Sequence, residues 1–338
     1  MPSHPSTLTL GHRRRAFLQL GAAMGALWMA GPSGAQSTPP VKVSAVYGVP
    51  VEQSWASRVN AALRAAQQRG DIEYAYSENV APNDYERKLR EHARNGAELI
   101  IGEAFEDTAL VYRVARDYPK IAFLVGSFER PQQPNLAVFD SHIYEPLYLA
   151  GMIAGGVSKS GNIGVIAGHP IPRTNRLVHA FKDGVREVNP DAKFTTTFIE
   201  SRFNPIASRQ AAHRLIDQGV DVIYAERTGA VAAAQQRGVY VIGHAVDRQP
   251  YYPDTIITSA VWDVGPTLER ALTMVRRGTF QADDYGKYSH MRYQGAALAP
   301  LRNFENKVPE ALMARVRARQ QTMLEGTFTI KLKDYRPQ

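Results

Sequence analysis

Aromatic and polar side chains recur together in the loops that follow apolar, β-branched runs. "GVPVEQSW" brings Trp55 to a helix start, and "GEAFED" offers Glu103 and Phe105. Further along, "ESRFNP" offers Arg202 and Phe203, "AERTG" offers Glu226 and Arg227, "GHAVDRQ" offers Asp247, and "SAVWDVG" offers Trp262 and Asp263. Rings that stack, set beside groups that donate or accept hydrogen bonds, are what a flat heteroaromatic molecule needs. The chemistry is recognition, with no bond made or broken. A guanidinium fork at Arg202 or Arg227 also suits a carboxylate or an oxygen-rich ring. Among the acids, Asp247 stands foremost as acceptor for a ligand N–H, because it follows the apolar strand "VYVIGHAV". Plainer roles stand beside these: hinge packing for Trp55 and Trp262, core for Phe105 and Phe203, rim ion pairs for Glu103, Glu226 and the two arginines.

Catalysis has no comparable anchor. His142, His169, His179, His213, His244 and His290 are scattered, and neither HExxH nor Gly-x-Ser-x-Gly occurs. The absence of cysteine removes disulfides and thiolate metal sites. "FDSHIYE" sets Asp140 near His142, but catalysis needs a nucleophile and a base positioned together. The expectation is a binding protein, not an enzyme, with no metal and no cofactor.

The elements that must carry these loops alternate. "VKVSAVYG" is a strand ending in Gly, and "SWASRVNAALRAAQQRG" has apolar residues at helical spacing. The unit recurs through "IEYAYSENV", "AELIIGEAF", "KIAFLVGSF" and "LAVFDS", then restarts at "NIGVIAG" and runs through "FTTTFIES", "VDVIYAE", "VYVIGHAV" and "TIITSAVW". Continuous apolar strands alternating with amphipathic helices predict parallel sheets covered on both faces. Two such α/β halves stand in tandem, and their strand ends would share a cleft.

Between the halves lies "EPLYLAGMIAGGVSKSGNIGVIAG", Glu145 to Gly168. Its apolar part is too short to cross a bilayer, and Lys159 interrupts it. It lacks the spacing of a phosphate loop. The glycines predict a helix packed closely on a neighbour, with Gly161 as a left-handed cap.

The front end has a different character. Arg13, Arg14 and Arg15 precede Phe17, Leu18 and an apolar run to Ala30, resembling a twin-arginine export signal with cleavage after Ala35. The chain has 338 residues and a formal charge of +8; residues 1–35 hold three arginines and no acid, so 303 residues of charge +5 remain. Basic and acidic residues are interspersed there, which argues against a nucleic-acid partner.

On "EPLYLAGMIAGGVSKSGNIGVIAG", "HAFKDGVREVNPDAKF", "LIDQGVDVIYAE" and "VWDVGP", the chain resembles the basic-membrane-protein (BMP) family of ABC-transporter substrate-binding proteins, from about Val41 to about Phe328. The resemblance implies a type I periplasmic binding fold, two parallel-sheet, three-layer α/β domains joined by a hinge, and a purine nucleoside or nucleobase as ligand. It implies a monomer in the periplasm that docks on an inner-membrane ABC permease. Trp55, Phe105 and Phe203 resemble the family's stacking positions. Nucleoside-binding members carry acids in the first loop and near the second crossover, where this chain has Tyr47, Gly48 and Trp262. A purine base is therefore expected rather than a nucleoside. Alternatives are an acidic aromatic or carboxylate ligand held by Arg202 and Arg227, and presentation of ligand to a membrane sensor. The expected lobes are 41–144 with about 264–300, and 145–263 with about 301–338.

Overall fold

The computed structural model describes residues 39–338 apart from Glu106, Arg202 and the side chain of Ser54. The expected export signal and Arg202 lie outside the described residues. The first half runs β1 (Val41–Val46), α1 (Ser54–Gln68), β2 (Ile72–Ser77), α2 (Pro82–Arg94), β3 (Leu99–Glu103), α3 (Thr108–Asp117), β4 (Ala122–Gly126) and β5 (Leu136–Phe139). Its strands pair in parallel in the order β2-β1-β3-β4-β5. "AFLVG" of β4 and "LAVF" of β5 are buried along their whole length, as strands covered on both faces must be.

The second half runs α4 (Tyr144–Val157), β6 (Asn162–Ala167), α5 (Pro172–Val188), β7 (Lys193–Phe198), α6 (Pro205–Asp217), β8 (Val222–Ala225), α7 (Ala230–Arg237), β9 (Tyr240–Ala245) and β10 (Ile256–Trp262). There follow α8 (Gly265–Arg276), β11 (Ala296–Leu298) and α9 (Glu310–Leu324). The second sheet has the order β11-β10-β9-β8-β6-β7, parallel except for β11, which pairs antiparallel with β10. This is the expected α/β architecture of two parallel-sheet lobes.

The chain passes between the lobes three times. It leaves β5 for α4, which packs on α5, α9 and the β10–β11 edge; it returns after β10 through α8, which packs on α1 and β1; and it crosses again before β11. The segments 138–145 and 284–293 are tied together there. Val138 bridges Asp284, Ser289 Oγ donates to the Asp140 carbonyl at 2.7 Å, and Met291 N–H donates to Glu145 Oε2 at 2.7 Å.

Helix α4 explains its glycines. A Cβ on Gly151 would stand 2.2 Å from the Phe181 carbonyl oxygen, and one on Gly184 would stand 1.9 Å from that of Tyr148. Backbones of α4 and α5 therefore touch, which only residues without side chains permit. Gly161 has φ +68, the left-handed conformation expected of it, just before β6. No described helix is long and apolar enough to cross a membrane.

Candidate functional site

The carboxyl ends of both sheets open onto one cavity of about 490 Å³. The first lobe supplies Trp55 from the first turn of α1, Glu103 from the end of β3, Phe105 from the loop before α3, and Phe128 just after β4. Local sequence sets these positions. Asp107 accepts from Leu110 N–H at 2.8 Å and so starts α3 directly behind Phe105. Gly126 makes room for the rings: a Cβ there would stand 2.7 Å from Trp55 Cζ2 and 2.8 Å from Phe105 Cε2.

The rings form one surface. Trp55 meets Phe105 edge-on with centroids 5.8 Å apart, and lies 5.4 Å from Phe139 and 6.0 Å from Trp262. Phe128 lies 4.7 Å from Phe105. Trp55 Nε1 is buried and has no acceptor among the described residues. Opposite, Phe203 stands half out in solvent at 54% exposure, just before Asn204, whose side chain caps α6 by accepting from Ala207 N–H at 2.9 Å. Trp262 touches the cavity yet is otherwise buried; its Nε1 donates to Ser289 Oγ at 3.0 Å, and its carbonyl accepts from Arg58 Nε at 2.8 Å.

The polar wall comes from the second lobe. Glu226 directly follows β8 with its side chain 3% exposed; its Oε2 accepts from Gly168 N–H at 2.9 Å and pairs with Arg227 Nε at 2.8 Å. Burial, the largest single influence, pushes the Glu226 carboxyl up, but Arg227, His244, Arg173 and the Gly168 N–H together outweigh it and hold the group below its ordinary value. Gly168 admits the guanidinium, since a Cβ would lie 2.5 Å from Arg227 Nε. His244, near the end of β9, places Nε2 4.0 Å from Glu226 Oε1, and burial lowers its pKa to about 4. The next residue, Ala245, has φ +59 and also touches the cavity. A left-handed non-glycine residue at a strand end is strain held by its surroundings.

Arg173 joins the two lobes. It sits in the first turn of α5, where the helix dipole disfavours a cation, and it is satisfied from across the cleft. Its Nε lies 2.8 Å from Asp140 Oδ2, its Nη2 donates to Ser141 Oγ at 2.8 Å, and its guanidinium rides 5.8 Å from the centre of the Phe105 ring.

Of the residues singled out from sequence, Trp55, Glu103, Phe105, Phe203, Arg227 and Trp262 stand together on this cavity, and Glu226 with them. Asp247 is the correction. It is not on the wall; its Oδ2 pairs with Arg302 Nη2 at 2.7 Å and its Oδ1 accepts from Gln249 N–H. The left-handed turn at Ala245 redirects the chain before Asp247 is reached. Asp263 is likewise spent locally, accepting from Gly265 N–H at 2.8 Å. Phe128, Arg173 and His244 were not singled out. Phe128 carries the same signal as the others, a ring just past an apolar strand, and Arg173 carries another, a cation in a helix's first turn.

Residues 41–287 match the family model of the ABC transporter substrate-binding protein, PnrA-like (Bmp). The chain belongs to this family. Among relatives of this Bmp chain, a Brucella abortus protein named as purine-binding is 30% identical over 82% of the chain and 81% of its own length. The Haloferax volcanii protein TsgA13, named for glucose binding within an ABC transporter, is 35% identical over 69% of the chain, which spans only 59% of that relative's length. A solved ABC-transporter solute-binding protein from Aeropyrum pernix superposes with a TM-score of 0.74 at 19% identity, covering 87% of the Bmp chain and 94% of its own, a likeness of fold.

Proposed function

We propose that this substrate-binding protein captures a planar heteroaromatic ligand, a purine base rather than a nucleoside, between its lobes and hands it to an ABC permease in the membrane. The observation that carries the reading is the continuous ring surface of Trp55, Phe105 and Phe128 facing Phe203 across a cavity of about 490 Å³. That volume lies within the range of small-ligand sites, and stacked faces with a polar edge suit a flat ring. The Brucella abortus relative's name points the same way. Trp55, Phe105, Phe203 and Trp262 would hold the ring, and Glu103, Glu226 and Arg227 its edge. Capture between lobes favours the closed arrangement, which the permease would recognise. The twin-arginine-type segment would deliver the chain to the periplasm, where it would act as a monomer.

A hexose is the second reading, favoured by the glucose-binding name of the 35%-identical relative. Thermal unfolding with purine bases, nucleosides, aromatic acids and hexoses separates the two. A ligand at a hundredfold its Kd adds about 2.7 kcal/mol to stability. Stabilisation by a purine base is expected; stabilisation by glucose alone would replace the proposal with the sugar reading. Turnover of any nucleoside would contradict both.

A further inference from the structure

His244 differs from the other polar groups on the cavity wall in that its hydrogen-bonding state is dictated from behind. Tyr224, buried in β8, places its hydroxyl 3.0 Å from His244 Nδ1, with ring centroids 6.1 Å apart. Burial, reinforced by the Glu226 carboxylate, raises the Tyr224 pKa well above its ordinary value, so the phenol keeps its proton. A buried hydroxyl hydrogen needs an acceptor, and among the described residues Nδ1 is the one within reach. Nδ1 therefore accepts. The imidazole, held neutral by its burial, must then carry its hydrogen on Nε2.

Among the described residues, that Nε2–H finds no acceptor. Glu226 Oε1 is 4.0 Å away, beyond hydrogen-bonding distance, and the other carboxylate oxygen is engaged by Gly168 N–H and Arg227. No other described residue accepts from Nε2. His244 itself lines the cavity, beside the ring surface, and its side chain is 9% exposed. Its backbone is fixed by β9 on one side and by the left-handed Ala245 on the other.

We propose that His244 is the specificity-determining residue of this cleft: locked by Tyr224 as the Nε2–H tautomer, it offers a neutral donor to a carbonyl oxygen or an unprotonated ring nitrogen on the ligand's edge. This rests on the planar-ligand reading above and deepens it. A fixed donor selects strongly, because an analogue with C–H at the matching position leaves the His244 N–H without an acceptor, and one with N–H there sets two donors against each other. Tyr224 is a positioning residue; it acts on the ligand only through the tautomer it imposes.

The test is a cycle across protein and ligand. Wild type, His244→Leu, His244→Gln and Tyr224→Phe are titrated calorimetrically with a bound purine and with analogues in which one ring nitrogen or carbonyl at a time is replaced by C–H. Wild type is expected to bind one of these analogues about tenfold to a hundredfold more weakly than the parent. His244→Leu should bind the parent weakly and no longer distinguish it from that analogue, while His244→Gln, which retains an N–H, should recover part of the discrimination. Tyr224→Phe should reduce the discrimination ratio, and nitrogen-15 NMR of its His244 ring should show Nδ1–H appearing. Ligand-free melting curves identify any variant that has failed to fold, and the remaining variants then decide. If His244→Leu discriminates among the analogues as wild type does, the assignment is overturned while the purine reading survives. If wild type binds no purine at all, the proposed function falls and takes this assignment with it.

Discussion

Phe203 and His244 report on different quantities. Phe203 is half exposed and supports little of the core, so Phe203→Ala should leave the melting temperature unchanged while weakening ligand about fivefold, the loss of about 1 kcal/mol of ring stacking. Trp55→Ala is less clean, because Trp55 also packs on Phe139 and Trp262. His244 is legible in acid. Its ordinary pKa of 6.5 falls to about 4 in the folded protein, chiefly through burial, against the opposing pull of Glu226 and with the help of Arg173 and Arg227. Between those values the unfolded chain binds a proton that the folded chain refuses, so stability falls as pH drops through the window, by about 3 kcal/mol in all. Glu226, held below its ordinary value, adds a loss of the same sign at lower pH. Urea unfolding from pH 7 to 4 should show a steeper decline for wild type than for His244→Gln; parallel curves would contradict the assignment of the decline to this ring.

Elements carry the close approaches. Gly184→Ala would drive a methyl into the Tyr148 carbonyl across the α4–α5 contact and should destabilise the protein by about 3 kcal/mol, read from urea midpoints. Gly126→Ala should act elsewhere: the fold persists, but Trp55 and Phe105 are both displaced and titration should show ligand weakened about tenfold. Much of this was legible in the sequence. Alternation of apolar runs and helical spacing marks β1 to β10 and their helices, and the glycines of α4 announce the close contact. The edge strand β11 was not, because "AAL" is too short to show a period. Within the site, rings after strands are visible one loop at a time. Asp247 misleads because nothing in "GHAVDRQ" reveals that Ala245 turns left-handed, or that Arg302, far along the chain, waits for the carboxylate. The partnership of Arg173 with Asp140 is hidden for a similar reason, since it joins residues of different lobes.

At the scale of the molecule, that pair is a clasp. Asp140 is 6% and Arg173 20% exposed, so neither charge is well hydrated, and removing one strands the other. Arg173→Ala should destabilise the lobes' present arrangement by about 3 kcal/mol. Small-angle scattering of the ligand-saturated variant should give a larger radius of gyration than wild type, with ligand-free radii closer together; equal saturated radii would show that the pair does not govern closure. Trp262 has a further consequence. Its indole nitrogen reaches Ser289, whose oxygen reaches the backbone at Asp140, and its own carbonyl receives Arg58, so one residue gathers all three strands of the passage between lobes. A guest that leans on this indole is pressing on the pivot of the door rather than on its panel, and news of its arrival has no distance left to travel.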